Sequence, residues 1–178
     1  MKTFSLVIMV AILSLFFSTI SMSQTQSAYK DVVVQNPNAE ADMKLVGDYV
    51  RSLVSGDLDK AKSLMDPSYI GRGPSRIDSA NVEKTITNWQ ANYKTQTDRK
   101  VTFVTNTHKV LSGGYKGVWV SLWGNYTFTQ AGKTISLPFQ LTAKVEDGKI
   151  LSSIIYFDNL YVATELGFKL TPPESAAK

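Results

Sequence analysis

Asp158 is the residue of this chain best placed for acid–base chemistry. It follows Ile150, Ser152, Ile154 and Tyr156 at every second position, a spacing that puts all five on one side of a strand. If that side lines an apolar cavity, desolvation raises the carboxyl pKa and makes Asp158 a usable proton acceptor. The competing reading is structural: Asp158-Asn159 is a pair that favours side-chain bonds to the backbone of a following turn. His108 is the chain's single histidine. It is a second candidate, as a partner for Asp158, against the reading of a half-buried hydrogen-bonding side chain. One histidine and no cysteine exclude His-rich and thiolate metal centres, disulfides and Cys nucleophiles, so no metal is expected.

Binding chemistry has more material. Trp89, Tyr93, Tyr126, Phe139 and Tyr156 offer ring faces, several with polar tips, which suit a pocket for a small apolar or aromatic molecule. The same residues would serve equally as plain core. Trp119, Ser121 and Trp123 form a semi-polar row that fits a sheet surface able to pair with a second subunit. Arg72 and Arg76 flank Gly71-Arg72-Gly73-Pro74 and would meet either an anionic group or solvent. No GK[ST] follows those glycines, and no dinucleotide fingerprint, zinc signature or Ser-His-Asp set is present. No cofactor is expected. Tyrosines are available for an oxyanion hole, but no second acid is placed convincingly inside beside Asp158.

Periodicity supplies the elements that must hold these residues. Met43, Val46, Val50 and Leu53 step by three and four, predicting a helix from Ala39 that Gly56 stops. Asn38 is positioned to cap its start, and Asp57 to cap a shorter second helix carrying Leu58, Ala61, Leu64 and Met65. Tyr69 to Pro74, with two glycines and a proline, reads as an edge strand or irregular crossing rather than a central strand. Asp78-Ser79-Ala80-Asn81 precedes a third helix with Val82, Ile86, Trp89 and Tyr93. After Asp98 the period becomes two. Long strands are expected from Val101, over Gly117–Gln130, around Ile135–Val145, and from Lys149 to Phe157, with Asp147-Gly148 as a hairpin turn.

The ends are of a different kind. Lys2, an apolar run over Phe4–Ile20 and the small residues Ser21 and Ser23 read as a secretory signal over residues 1–23, cleaved near Ser23-Gln24; the rival reading is an uncleaved membrane anchor, for which the run is slightly short. Secretion or a periplasmic location follows, with no stable membrane insertion after cleavage, and no cysteine is available for a lipid anchor. Residues 24–37 read as an extended linker, 38–170 as one domain and 171–178 as a flexible tail. The chain of 178 residues, 43% hydrophobic and 19% charged, can bury one sizeable core. Its net charge of +4 is dispersed, with no run able to track a phosphate backbone, so no nucleic-acid partner is expected.

Helices followed by an antiparallel meander give an α+β fold: N-terminal helices packed on a strongly curved antiparallel sheet that encloses a pocket. Within that layout, Tyr156-Phe157-Asp158-Asn159-Leu160 and Leu166-Gly167-Phe168 resemble the closing segment of SnoaL-like proteins of the nuclear transport factor 2-like superfamily. The order of elements over roughly residues 38–170 is similar too. The resemblance implies a cone-shaped α+β barrel with an apolar cavity, often a dimer, and an acid/base role for an Asp in the segment of Asp158. It does not imply one activity. Three readings follow: an exported domain that holds a small apolar molecule without defined catalysis, an isomerase-, cyclase- or dehydratase-like enzyme using Asp158, and an interaction module forming a homodimer through the sheet.

Overall fold

The structure is a computed structural model describing residues 28–171. The expected signal segment, and all but the first residue of the expected tail, lie outside the described residues. The long strands are β4 (Thr97–Val110), β5 (Gly117–Gln130), β6 (Lys133–Glu146) and β7 (Lys149–Phe157). They pair antiparallel in sequence order, as the alternation predicts. The β5–β6 and β6–β7 hairpins turn through Ala131-Gly132 and Asp147-Gly148, every one of these residues with φ between +49° and +76°. That is the left-handed geometry a tight hairpin needs. Three short strands complete a seven-stranded sheet of order β1-β4-β5-β6-β7-β2-β3: β1 (Val33–Val34), β2 (Met65–Arg72) and β3 (Ser79–Ala80).

The sheet is mixed, because β2 runs parallel to β7. Tyr69–Arg72 therefore belong to a strand that starts earlier than expected and is flanked on both sides, although β3 covers it for only two residues, while Gly73 and Pro74 lie beyond its end. Pro67 is tolerated because it falls in the register break between Met65 and Ile70, where its missing N–H leaves no rung open.

Helix α1 (Tyr29–Val32) is a single turn leading into β1. Helix α2 (Ala39–Ser55) lays the predicted apolar stripe on the sheet: Val46, Tyr49, Val50 and Leu53 are buried against Val120, Leu122, Leu141 and Ala143. Each of the aliphatic side chains contributes roughly 1.5–3 kcal/mol by leaving water. Gly56 ends the helix at φ +100°. Asp57 then accepts from Lys60 N and starts α3 (Leu58–Leu64). Asn38 occupies the cap position of α2, but its side chain makes no capping bond. Asn36 acts instead. Its Oδ1 accepts from Asn38 N, while its Nδ2 donates to Asp42 Oδ2 at 2.8 Å and to Thr107 Oγ1 at 3.0 Å. This buried knot and the pairing of Val33 with Val110 bind the segment before Pro37 into the sheet edge.

Helix α4 (Val82–Thr95) is capped by Asn81, whose side chain accepts from Lys84 N. It lies across the sheet's inner face at the end remote from β1. The short α5 (Asn159–Glu165) follows β7.

One irregularity decides which side chains face inward. Along β7, Ile150 pairs with Val145 and Ser152 with Lys144, so Leu151 is an extra residue. Such a bulge inverts the alternation beyond it. Ile150 is buried, but after the bulge it is Ser153, opposite Ala143, and then Ile155 and Phe157, opposite Leu141 and Phe139, that share its side. Ile154 and Tyr156 turn outward.

Candidate functional site

Between the sheet, α2 and α4 lies a cavity of about 550 Å³, within the range of about 300–1,000 Å³ typical of small-molecule sites. Its floor is apolar: Phe128 from β5, Leu137, Phe139 and Leu141 from β6, and Ile155 and Phe157 from β7. Trp89 of α4 meets Tyr126 of β5 edge-on, with ring centroids 5.9 Å apart, and Tyr126 stacks on Phe128 at 5.1 Å.

Polar groups enter this apolar space in two places. The first is a chain of three hydroxyls. Tyr69 OH lies 3.0 Å from Tyr49 OH and 2.7 Å from Ser153 Oγ, and all three residues are buried and line the cavity. Each hydroxyl has one hydrogen and two bonds link the three, so one hydrogen remains to donate elsewhere. Burial holds the Tyr49 hydroxyl well above the ordinary tyrosine range, with the neighbouring Tyr69 adding to the effect. Tyr49 therefore stays a neutral donor or acceptor. Gly71 makes room for the chain: it shares a face with Tyr69, and a Cβ there would stand 2.7 Å from the Tyr69 hydroxyl.

The second is a row on α4. Lys84, Asn88, Asn92 and the following Gln96 recur at every fourth residue and all line the cavity. Lys84 and Asn88 are exposed, whereas Asn92 and Gln96 are half-buried, so the row runs from mouth to interior. Its inner end is fixed by Tyr126 OH, which donates to Gln96 Oε1 at 2.7 Å; burial raises the Tyr126 pKa. Arg72, Gly73, Pro74 and Asp78 form one lip of the mouth, with Asn159 and Val162 of α5 also lining it.

Three of the five aromatic candidates, Trp89, Tyr126 and Phe139, line this cavity. Tyr93 stands behind Trp89, its ring centroid 6.0 Å away. It donates to Leu53 O and carries the Arg99 guanidinium 4.4 Å above its ring, so it ties α4 to α2 rather than facing the cavity. Tyr156 is 58% exposed on the outer face, opposite Gln140. The expectation that it and Asp158 share a cavity-facing row is corrected by the bulge at Leu151. Asp158 is exposed. Its Oδ1 accepts from Tyr161 N at 2.8 Å and caps α5, the structural alternative read from Asp158-Asn159. His108 pairs with Trp119 across β4 and β5, away from the cavity, and does not meet Asp158.

Of the described residues lining the cavity, Asp78 alone carries a carboxylate. It is exposed, and its Oδ2 accepts from Ser75 N at 3.0 Å. The interior thus offers hydrogen-bond donors and ring faces without a proton-accepting carboxylate or imidazole. No cluster suited to a metal ion occurs among the described residues. Sequence reasoning missed Tyr49, Tyr69, Ser153 and the α4 row. The four-residue polar spacing of the row, beside the Val82-Ile86-Trp89 stripe, was a usable signal.

No family model matches the chain, and no curated protein matches it. Solved structures do. An LEH-like epoxide hydrolase from Mycobacterium tuberculosis is 14% identical over 73% of this chain and 92% of its own, with a TM-score of 0.57. A protein from Shewanella putrefaciens CN-32 assigned as a SnoaL-like polyketide cyclase is 12% identical over 73% and 98%, with a TM-score of 0.58. A protein from Catenulispora acidiphila with a ketosteroid isomerase-like fold, in complex with trimethylamine, is 13% identical over 72% and 98%, with a TM-score of 0.56. At such identities the likeness is one of architecture, and it agrees with the resemblance seen in the C-terminal segment: the chain has the α+β fold of SnoaL-like and ketosteroid isomerase-like proteins of the nuclear transport factor 2-like group.

Proposed function

We propose that this is an exported domain that binds a small, largely apolar, ring-bearing molecule, without a built-in acid–base pair. The observation that carries the reading is the cavity of about 550 Å³, whose apolar floor meets a hydroxyl chain with one hydrogen left to donate. A ring buried over Phe128, Phe139 and Trp89 would present a carbonyl or hydroxyl oxygen to that chain. Catalysis through Asp158 has no support in this geometry, because its carboxylate caps α5 outside the cavity. Export rests on the leader-like residues 1–23, and an intact mass beginning at Gln24 for chain recovered from an expressing bacterium tests it. The binding reading is tested by native mass spectrometry of the purified protein together with titration of an anionic, ring-bearing fluorescent probe, anilinonaphthalenesulfonate. A retained organic molecule, or probe uptake that Trp89→Ala weakens several-fold, is expected. Protein that carries nothing and takes up no probe refutes it.

A second reading concerns assembly and is compatible with the first. Val104, Trp123, Gln140 and Tyr156 form one cross-strand rung over β4 to β7 on the outer face. Its three large apolar members are 68%, 42% and 58% exposed. A two-fold axis between Trp123 and Gln140 would lay this rung on a second copy, each Val104 meeting the other's Tyr156. Trp123→Glu is expected to halve the mass seen by light scattering. A wild-type protein that is already monomeric removes the dimer.

A further inference from the structure

The proposed binding role leaves the ligand's charge open, and the mouth of the cavity narrows it. Arg72 and Lys84 line the mouth from adjoining elements, the end of β2 and the first turn of α4, which Arg72's pairing with Ser79 brings together, and both are exposed. The ion pairs found among the described residues use Asp48 and Glu83 as their acids, and neither Arg72 nor Lys84 takes part. Asp78 is the one carboxylate among the described residues that line the mouth. Two cations and one carboxylate leave the mouth with a single uncompensated positive charge, which favours entry of a monoanion and opposes a cationic amphiphile. Behind this charge the Asn88, Asn92 and Gln96 amides continue along one wall, while the other wall is apolar. From Lys84 to Gln96 the helix advances about 18 Å, so head and body can occupy these zones together.

We infer that the ligand is an oxygenated apolar carboxylic acid. Its ring body lies on the Phe128–Phe139 floor, an oxygen meets the Tyr69 hydroxyl chain, and its carboxylate sits at the mouth between Arg72 and Lys84. The inference rests on the binding reading above and adds the charge and orientation of the bound molecule.

Isothermal titration of the purified full chain with 6-hydroxy-2-naphthoic acid and with its methyl ester tests it. The two probes share ring and hydroxyl and differ in the anionic head. At about 0.02 M salt the acid is expected to bind about tenfold more tightly than the ester, as two partly solvated cation contacts allow. Raising salt to about 0.5 M should shrink the advantage, and the Arg72→Gln/Lys84→Gln double variant should bring the two affinities together. Ester binding as tight as acid binding overturns the carboxylate inference while leaving the binding reading in place. An acid preference that survives in the double variant overturns the assignment to Arg72 and Lys84. If neither probe binds, the inference falls together with the reading beneath it.

Discussion

Replacing Tyr69 with Phe would remove one oxygen and keep the ring, including its tilted contact with Tyr49 at 6.2 Å. Tyr69 is the middle member of the hydroxyl chain, bonded at 3.0 Å to Tyr49 and 2.7 Å to Ser153. The substitution therefore breaks two bonds and orphans two buried hydroxyls. A typical net hydrogen bond is worth about 1 kcal/mol, and a buried group left unpaired costs about 1–3 kcal/mol. The expected loss for Tyr69→Phe is about 2–4 kcal/mol. Tyr49→Phe removes an end member and leaves the Tyr69–Ser153 bond intact, so about 1 kcal/mol is expected. Urea unfolding followed by far-ultraviolet circular dichroism, with equal m-values across the variants, measures both. A companion variant sharpens the test. Gly71→Ala places a Cβ 2.7 Å from the Tyr69 oxygen, so it should cost less in the Tyr69→Phe background than in the wild type. If Tyr69→Phe proves no more costly than Tyr49→Phe, the three hydroxyls do not form a mutually dependent unit, and the argument for a spare donor hydrogen is lost.

Two further outcomes follow from other parts of the fold. Gly124→Ala would drive a Cβ to 2.0 Å from Thr102 O and 2.7 Å from Phe103 Cβ; separating β4 from β5 should cost about 3 kcal/mol or more, and a thermal midpoint close to the wild type's would contradict the close approach. In alkali, Tyr49 and Tyr126 are held above the ordinary tyrosine value of 10.0 by burial, so the unfolded chain releases these protons first. Stability should be steady below about pH 10 and fall above it by up to about 1.4 kcal/mol per group per pH unit. Tyr49→Phe should flatten that fall, and urea midpoints between about pH 8 and pH 11 that do not decline would refute the sign.

Much of this architecture is legible in the sequence because it rests on period. The Met43-Val46-Val50-Leu53 stripe, the β5 alternation and the Asp147-Gly148 turn each announce their element, and each is found where expected. The site is less legible because it depends on parity. Alternation counted from Ile150 leads straight to Asp158, and one extra residue, Leu151, reverses it. Nothing in the type of Leu151 marks a bulge. Tyr69 and Ser153 meet across the parallel β2–β7 pairing, a contact over 84 positions that no local pattern encodes. Tyr126 and Phe139 on the inner face of the curled sheet, and Trp89 on the apolar stripe of the helix that covers it, were recoverable because large aromatic side chains there have few other places to go.

The knot at Asn36 governs how the domain can be carried. It fixes the arm at the Val110 end of β4, whereas the cavity is lined by Val101 near the other end of that strand. Nine steps along the strand separate Val101 from Val110, a rise of about 30 Å. The arm at Val33 is therefore anchored far along β4 from the part of that strand that lines the cavity, like a handle set away from the bowl of a cup. A load applied through the arm would reach the Val110 end of β4 before the part of that strand that lines the hollow.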